Sequence, residues 1–267
     1  MLQPIPHRDA EIEALITEDD TPADNFASEK QQRLLTEPLY SAWTGPGEGR
    51  PFLAAANVGV FAETRVPTIV PDVFLSLDVC VPKDWWVKLH RSYFIQEYGK
   101  PPDLVLEIVS NNEGGEPTEK RQKYAWMRVP YYVIYDPARQ VMEEVLTVYR
   151  LHALQYEIQK STWFPELNLG LALWEGEFED RTDHWLRWTD AQGVVIPTGK
   201  EQAKQERLHA EWERQRANQA NRRAEEADQR AEQERLRAEQ AEQRAEQERL
   251  RAEHLAALLR QAGMEPE

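Results

Sequence analysis

The sequence predicts an α/β (α+β) domain built on a mixed β-sheet, followed by a long charged helix. Three observations carry that expectation. Apolar runs of strand length recur between residues 52 and 160. A short Lys- and Arg-rich helical segment stands between two of them, Leu104 and Ile134 marking the ends of a unit with the length of a β-α-β crossover. From Lys200 the composition changes to Ala, Glu, Gln and Arg, with a small residue recurring every seven positions.

Residues 1–27 have no clear period and are rich in acids and Pro, which predicts an irregular lead-in. From Ser28 a helix is expected: Ser28 and Gln31 have capping-box spacing, and Leu34, Leu35, Leu39 and Tyr40 recur at helical intervals. The G-P-G-E-G-R-P segment after Trp43 ends it. Phe52–Ala62 and Val70–Val81 then read as strands. An aromatic-rich connection (Trp85, Trp86, Tyr93, Phe94) leads to the central stretch, residues 101–136. There an apolar strand carries Asp103 and Glu107, Gly114-Gly115 marks a turn, and the Lys120 helix precedes V-P-Y-Y-V-I-Y-D. If the two central strands are parallel neighbours, their crossover is right-handed. Met142–Leu151 and Ala153–Lys160 are expected to pair as a meander, and residues 161–198 form a Trp-containing covering segment with short strands. The domain reading is therefore 1–27 lead-in, 28–198 globular domain and 199–267 long helix.

The chain has 267 residues and a net charge of −15. From Lys200 onward 14 basic residues face 16 acidic ones, so the preceding part carries 13 of those net negative charges. Such a body argues against a broad electrostatic footprint on nucleic acid, though not against a local basic groove or a site where metal ions offset the acids. Cys80 is the sole cysteine, which rules out an intramolecular disulfide and a C-x-x-C zinc site. The longest apolar stretch, interrupted by Asn57, is too short to span a bilayer. With an acidic N-terminus unlike a signal sequence, a cytoplasmic protein with no membrane association is expected.

In the tail Ala203, Ala210, Ala217, Ala224, Ala231, Ala238, Ala245, Ala252 and Leu259 fall seven apart. The decapeptide R-A-E-Q-E-R-L-R-A-E begins at Arg230 and again at Arg244, two heptads later. Pairs such as Glu232–Arg235, Glu234–Arg237, Glu246–Arg249 and Glu248–Arg251 favour a helix modestly. The spacing points to a coiled coil that joins two copies as a dimer; Ala and Glu at the seam bury little, which equally suits a solvated single helix.

Asp72, Glu107 and Lys120 are the candidates for chemistry. Asp72 opens a strand, and Glu107 lies inside L-V-L-E-I-V, where a carboxylate must be paired, hydrogen-bonded or bound to a cation. Two acids from neighbouring strands offer hard oxygen ligands of the kind Mg²⁺ prefers. A lysine beside them could orient or deprotonate a water, or neutralise charge on phosphate. The six histidines lack ligand spacing, Gly114-Gly115 lacks phosphate-loop context, and the nine tryptophans read as core and rim packing.

The motifs P-D-V-F-L-S-L, P-D-L-V-L-E-I-V-S, E-K-R-Q-K-Y and V-P-Y-Y-V-I-Y-D-P together resemble the Uma-two family, common in cyanobacteria, over residues 25–195. That family belongs to the PD-(D/E)XK nuclease superfamily. The resemblance implies a restriction-endonuclease-like core, DNA as substrate and Mg²⁺ or Mn²⁺ as cofactor. It makes Asp72 and Glu107 metal ligands and Lys120 the catalytic lysine, displaced to the helix because Val109 stands two residues after Glu107. Lys123 is the weaker lysine candidate, and Glu29 the candidate for a helix glutamate joining the site. Glu116 stands where the family usually has Asp, and Arg128 where it usually has Gly. Asp103 reads as a turn residue, with a supporting role beside Lys120 as the alternative. The rival functional expectation is a nuclease-fold interaction protein, with weak or lost catalysis, that oligomerises or docks a partner through the tail.

Overall fold

Helix α1 (Phe26–Ser41) opens the part of the chain described by the computed structural model, which covers residues 25–47, 49–62, 69–86, 90–110 and 116–261. The lead-in up to Asp24 and the Gly114-Gly115 turn lie outside the described residues. The helix starts earlier than its capping-box spacing suggests. Asn25 is the cap, its Oδ1 accepting from the Ser28 backbone N–H at 2.8 Å, and Ser28 is buried in the first turn.

The run Phe52–Ala62 is two strands, β1 (Phe52–Ala56) and β2 (Val60–Phe61). Asn57 breaks it at φ 54°, a left-handed conformation that Asn tolerates better than most residues. Strands β3 (Val73–Leu77), β5 (Leu104–Ile108) and β6 (Tyr131–Tyr135) are buried along their whole length. Their apolar runs are continuous because both faces of the sheet are covered. The short β4 (Tyr93–Phe94) pairs with β2 in parallel and leads into the single-turn helix α2 (Ile95–Tyr98). After β6 come β7 (Leu146–His152) and β8 (Gln155–Gln159), an antiparallel hairpin, as the sequence suggests.

The main sheet has six strands in the order β1-β3-β5-β6-β7-β8. Only β5 and β6 within it run parallel; the other four pairings are antiparallel, so the sheet is mixed. A π-helical turn (Glu116–Lys120) running into helix α3 (Arg121–Trp126) makes the β5–β6 crossover. The covering segment holds longer strands than expected: β9 (Trp163–Phe164), β10 (Leu169–Phe178) and β11 (Arg181–Thr189) form a separate three-stranded sheet.

Two cores flank the main sheet. On one face Leu35 and Leu39 of α1 meet Leu75, Leu106 and Val133, together with Leu171, Leu186 and Trp188 of the smaller sheet. The Gln31 amide bonds both backbone groups of Leu186, at 2.8 and 3.0 Å, which fixes α1 against β11. On the other face Tyr124 and Met127, at α3 and its C-terminal cap, pack on Phe74, Val105, Tyr132 and Ile134.

Helix α4 (Gly199–Gln261) spans 63 residues, about 95 Å at 1.5 Å per residue. The chain divides into two compact units, the first ending at Gln202 and the second starting at Ala203. The first turn of α4 thus belongs to the first unit. Thr198 and Glu201 cap it reciprocally: Thr198 N–H donates to Glu201 Oε2 at 2.7 Å, and Glu201 N–H to Thr198 Oγ1 at 3.2 Å. Glu201 also receives the Arg187 guanidinium at 2.7 Å, and Arg187 is 1 % exposed. Beyond this turn the described side chains of α4 are almost uniformly exposed. Glu246 pairs with Arg249 as the spacing suggests, whereas Arg235 turns to Glu239. Among the described residues no helix is long and apolar enough to cross a membrane.

Candidate active site

Register brings the two acids together. In the antiparallel β3–β5 pair Val73 lies opposite Leu106, so Asp72, just before β3, and Glu107, the next residue of β5, come side by side, close enough for the Asp72 charge to act on Glu107. Directly opposed residues on one face of such a pair have Cβ atoms about 5 Å apart. Strand alternation sets Glu107 on the face that Val105 and Val109 share with α3. The Asp72 carboxylate also closes the end of the pair, Oδ2 accepting from the Ile108 backbone N–H at 2.6 Å.

Glu107 is 0 % exposed. Both its oxygens are engaged from the crossover helix: Lys120 Nζ donates to Oε2 at 3.0 Å and the Tyr124 hydroxyl to Oε1 at 2.5 Å. Lys120 and Tyr124 are four residues apart, so one face of the helical segment delivers both groups. Lys120 closes the π-helical turn and keeps part of its side chain in solvent. Burial pushes the Glu107 carboxyl up from its ordinary 4.5 to about 8; Lys120 opposes that rise, Asp72 adds to it, and the Tyr124 bond opposes it again. Burial, then the neighbouring Glu107 charge, holds the Tyr124 phenol well above its usual value.

Helix α1 adds an uncharged arm to the site. Gln32 Nε2 donates to Asp72 Oδ1 at 3.1 Å and to Asn57 Oδ1 at 3.3 Å, and Asn57 Nδ2 returns a bond to Gln32 Oε1 at 3.0 Å. The Asn57 backbone N–H donates to the Asp72 carbonyl at 3.2 Å. The break at Asn57 and the buried glutamine of α1 therefore hold Asp72 from two sides.

Not every candidate residue reaches the site. Glu29 bonds Arg33 at 2.9 Å on the surface, and the helix residue that reaches Asp72 is Gln32. Lys123 is exposed, and Lys120 is the lysine at Glu107. Asp103 pairs with Lys100 and accepts from the Leu77 backbone N–H at 2.7 Å, so it ties a turn and does not support Lys120. Asp136, fully buried, accepts from three backbone N–H groups of the following loop. Arg128 adopts φ 63°, the left-handed region in which glycine is the unstrained choice.

Gln32, Asn57 and Tyr124 were missed as functional candidates, and each leaves a trace in the sequence. Gln32 interrupts the buried stripe of α1, Asn57 interrupts an apolar run, and Tyr124 follows Lys120 by one helical turn.

A model of the Uma2 family, described as putative restriction endonuclease, matches residues 16–182, more than half of the chain. The chain belongs to the Uma2 family. Its mixed sheet, flanking helices and crossover are those of a restriction-endonuclease-like α/β fold. No curated protein matched the chain.

The donor set of this Uma2 member suits a particular kind of cation. Two carboxyl groups stand with one ammonium at a buried position, where a bound cation would favour their ionised forms over the proton that burial favours at Glu107. Among the described residues no group of three or more His, Cys, Asp and Glu gathers that could enclose a metal. Two carboxyl groups are hard oxygen donors, the ligand type of oxygen-preferring divalent cations that retain several waters, and unlike the closed nitrogen and sulfur sites of zinc.

Proposed function

We propose that the protein is a divalent-metal-dependent endonuclease that hydrolyses DNA phosphodiester bonds, with residues 28–198 as the catalytic domain. Asp72 and Glu107 would hold Mg²⁺ or Mn²⁺, and Lys120 is the charged catalytic partner. The observation that carries the reading is the wholly buried Glu107, within reach of the Asp72 charge and bonded by Lys120 at 3.0 Å. A carboxylate so placed is costly unless its charge is used.

When bound, the cation supplies charge stabilisation at the scissile phosphate and lowers the pKa of an attacking water. The chain's own residues prepare the rest. Gln32 and the Ile108 N–H fix both oxygens of Asp72, and Tyr124 fixes Glu107, so neither carboxylate must reorganise during the reaction. Lys120, held by Glu107 and partly open to solvent, presents an ammonium to a phosphate oxygen. Hydrolysis forms one P–O bond to water oxygen and breaks one P–O ester bond, leaving one phosphate end and one hydroxyl end. Incubation of plasmid and single-stranded DNA with Mg²⁺ or Mn²⁺ tests this, with Asp72→Ala and Lys120→Ala alongside. Cleavage by the wild type and its loss in both variants is expected. Absence of cleavage in all three, with no metal-dependent thermal shift, overturns it.

Helix α4 favours a second reading, an interaction protein on a nuclease fold. Its described side chains beyond the first turn are almost all exposed, and its heptad spacing runs the length of the tail. Self-association of this helix as a dimeric coiled coil is compatible with catalysis or replaces it. Sedimentation of the full chain beside one ending at Gln205 decides the point: a dimer is expected only for the full chain, and two monomers refute it.

A further inference from the structure

We propose that the cavity between Trp85, Trp86 and Tyr98 seats one unpaired nucleobase of the substrate strand, next to the phosphodiester held at Asp72 and Glu107. The proposal rests on the nuclease reading above and narrows its substrate to nucleic acid with a base free of its pair.

Position is the first argument. Phe74 lines the cavity, two residues along β3 from Asp72 and in the same core as the Val105 and Val109 that flank Glu107. Val58 also lines it and directly follows Asn57, which bonds the Gln32 that holds Asp72. The cavity and the paired acids therefore share one face of the sheet.

Chemistry is the second. Trp85 and Trp86 are 58 % and 73 % exposed, whereas Trp185 and Trp188 are 4 % and 1 % exposed. Core packing explains the latter two and does not account for the former pair. Indole faces stack on any base, so they suit a strand whose sequence varies. Arg91 lines the same cavity, and its Nε donates to the Trp86 backbone carbonyl at 2.9 Å, which ties the guanidinium to the backbone that carries one of the two indoles. Its outer nitrogens can serve the phosphate of the seated nucleotide. The volume, about 340 Å³, lies at the small end of the range for small-molecule sites, about 300–1,000 Å³.

Charge is the third. The part of the chain before Lys200 carries 13 net negative charges, which oppose wide phosphate contact along a duplex. Short-range stacking at one position then adds affinity that the net charge of the body does not supply. A base within a duplex cannot enter a side cavity without leaving its stack, so single strands, flaps and frayed ends are favoured.

The test measures binding by fluorescence anisotropy in Ca²⁺, using the full chain and a labelled single-stranded oligodeoxynucleotide. A series of the same strand carries one abasic site at successive positions, and a blunt duplex of that sequence serves as competitor. Tighter binding of the single strand than of the duplex is expected, with one abasic position costing roughly tenfold, the scale of one stacked base. Trp85→Ala/Trp86→Ala should lose a similar factor and become insensitive to that abasic position, while Trp86→Phe retains most of the affinity. Wild-type affinity in the double variant, equal sensitivity at every abasic position or preference for the duplex overturns the proposal. Circular dichroism establishes that each variant is folded. The nuclease reading fails separately: cleavage unaffected by Asp72→Ala refutes the assigned chemistry, while the abasic-position pattern is read without cleavage.

Discussion

Replacing Glu107 by Gln probes the electrostatics of the site while nearly preserving its shape. Glu107 is wholly buried, and its carboxyl is pushed up from 4.5 to about 8, chiefly by burial. That rise corresponds to roughly 5 kcal/mol of preference for the protonated form. The sign follows from proton counts. Between 4.5 and about 8 the folded state holds the Glu107 proton more tightly than the unfolded state, so stability falls as pH rises, by at most about 1.4 kcal/mol per pH unit. Below 4.5 both states are protonated, and above 8 neither is, so the contribution is flat outside that window. Glu107→Gln removes this fall. Without divalent cation, the unfolding free energy of wild type minus that of the variant should drop by about 3 kcal/mol between pH 5 and pH 7. Urea titrations in EDTA, followed by tryptophan fluorescence, give the two curves, and taking their difference cancels the titrating groups that do not interact with Glu107. Added Mg²⁺ competes with the Glu107 proton, so its stabilisation of the wild type should grow with pH and be absent in the variant. Parallel curves for the two proteins from pH 5 to pH 8 would refute the buried-carboxylate argument.

Gln32→Ala removes the outer support of Asp72 and should weaken Mg²⁺ binding by about tenfold to a hundredfold in calorimetric titration; unchanged affinity contradicts the assigned role. Arg128→Gly relieves a left-handed backbone position and should raise stability by about 1 kcal/mol in denaturant titration, and a loss of that size shows the side chain matters more. Glu201→Ala leaves the buried Arg187 guanidinium without its carboxylate and should cost about 3–5 kcal/mol, seen as a lowered Tm of the first unit. A Tm unchanged from wild type would place that pair among contacts of no consequence.

The parts of the fold governed by local pattern were legible in the sequence. The β5–α3–β6 crossover, the β7–β8 hairpin and the long helix follow from apolar period, length and composition. The helix start was misplaced because Ser28 matches a capping box while Asn25, three residues earlier, makes the actual cap. Glu107 was legible because a carboxylate in an apolar strand has few physical excuses. Asp72 required the resemblance, since nothing local distinguishes it from any acid that follows a proline. Gln32 leaves only a faint trace, for a different reason. Its role depends on α1 lying over the β3 end of the sheet, a long-range packing fact, and a charged neighbour at Glu29 drew attention away from a neutral amide. The exposed pair Trp85–Trp86 shows the same limit: nine tryptophans look alike in composition, and only burial separates the packing ones from those facing solvent.

The capped first turn of α4 changes where the body of the protein can be cut. A chain stopped at Thr198, where the composition shifts, would lose Glu201 and strand Arg187 inside the smaller sheet, so a poorly behaved fragment would say nothing about the arm. A stop beyond Gln202 keeps the anchor intact. Past that point, the arm is modular in length. Inserting or deleting one copy of the 14-residue repeat preserves the heptad phase and alters the length of the helix by about 21 Å. Arm length can thus be changed in whole repeats without altering the sequence of the first unit.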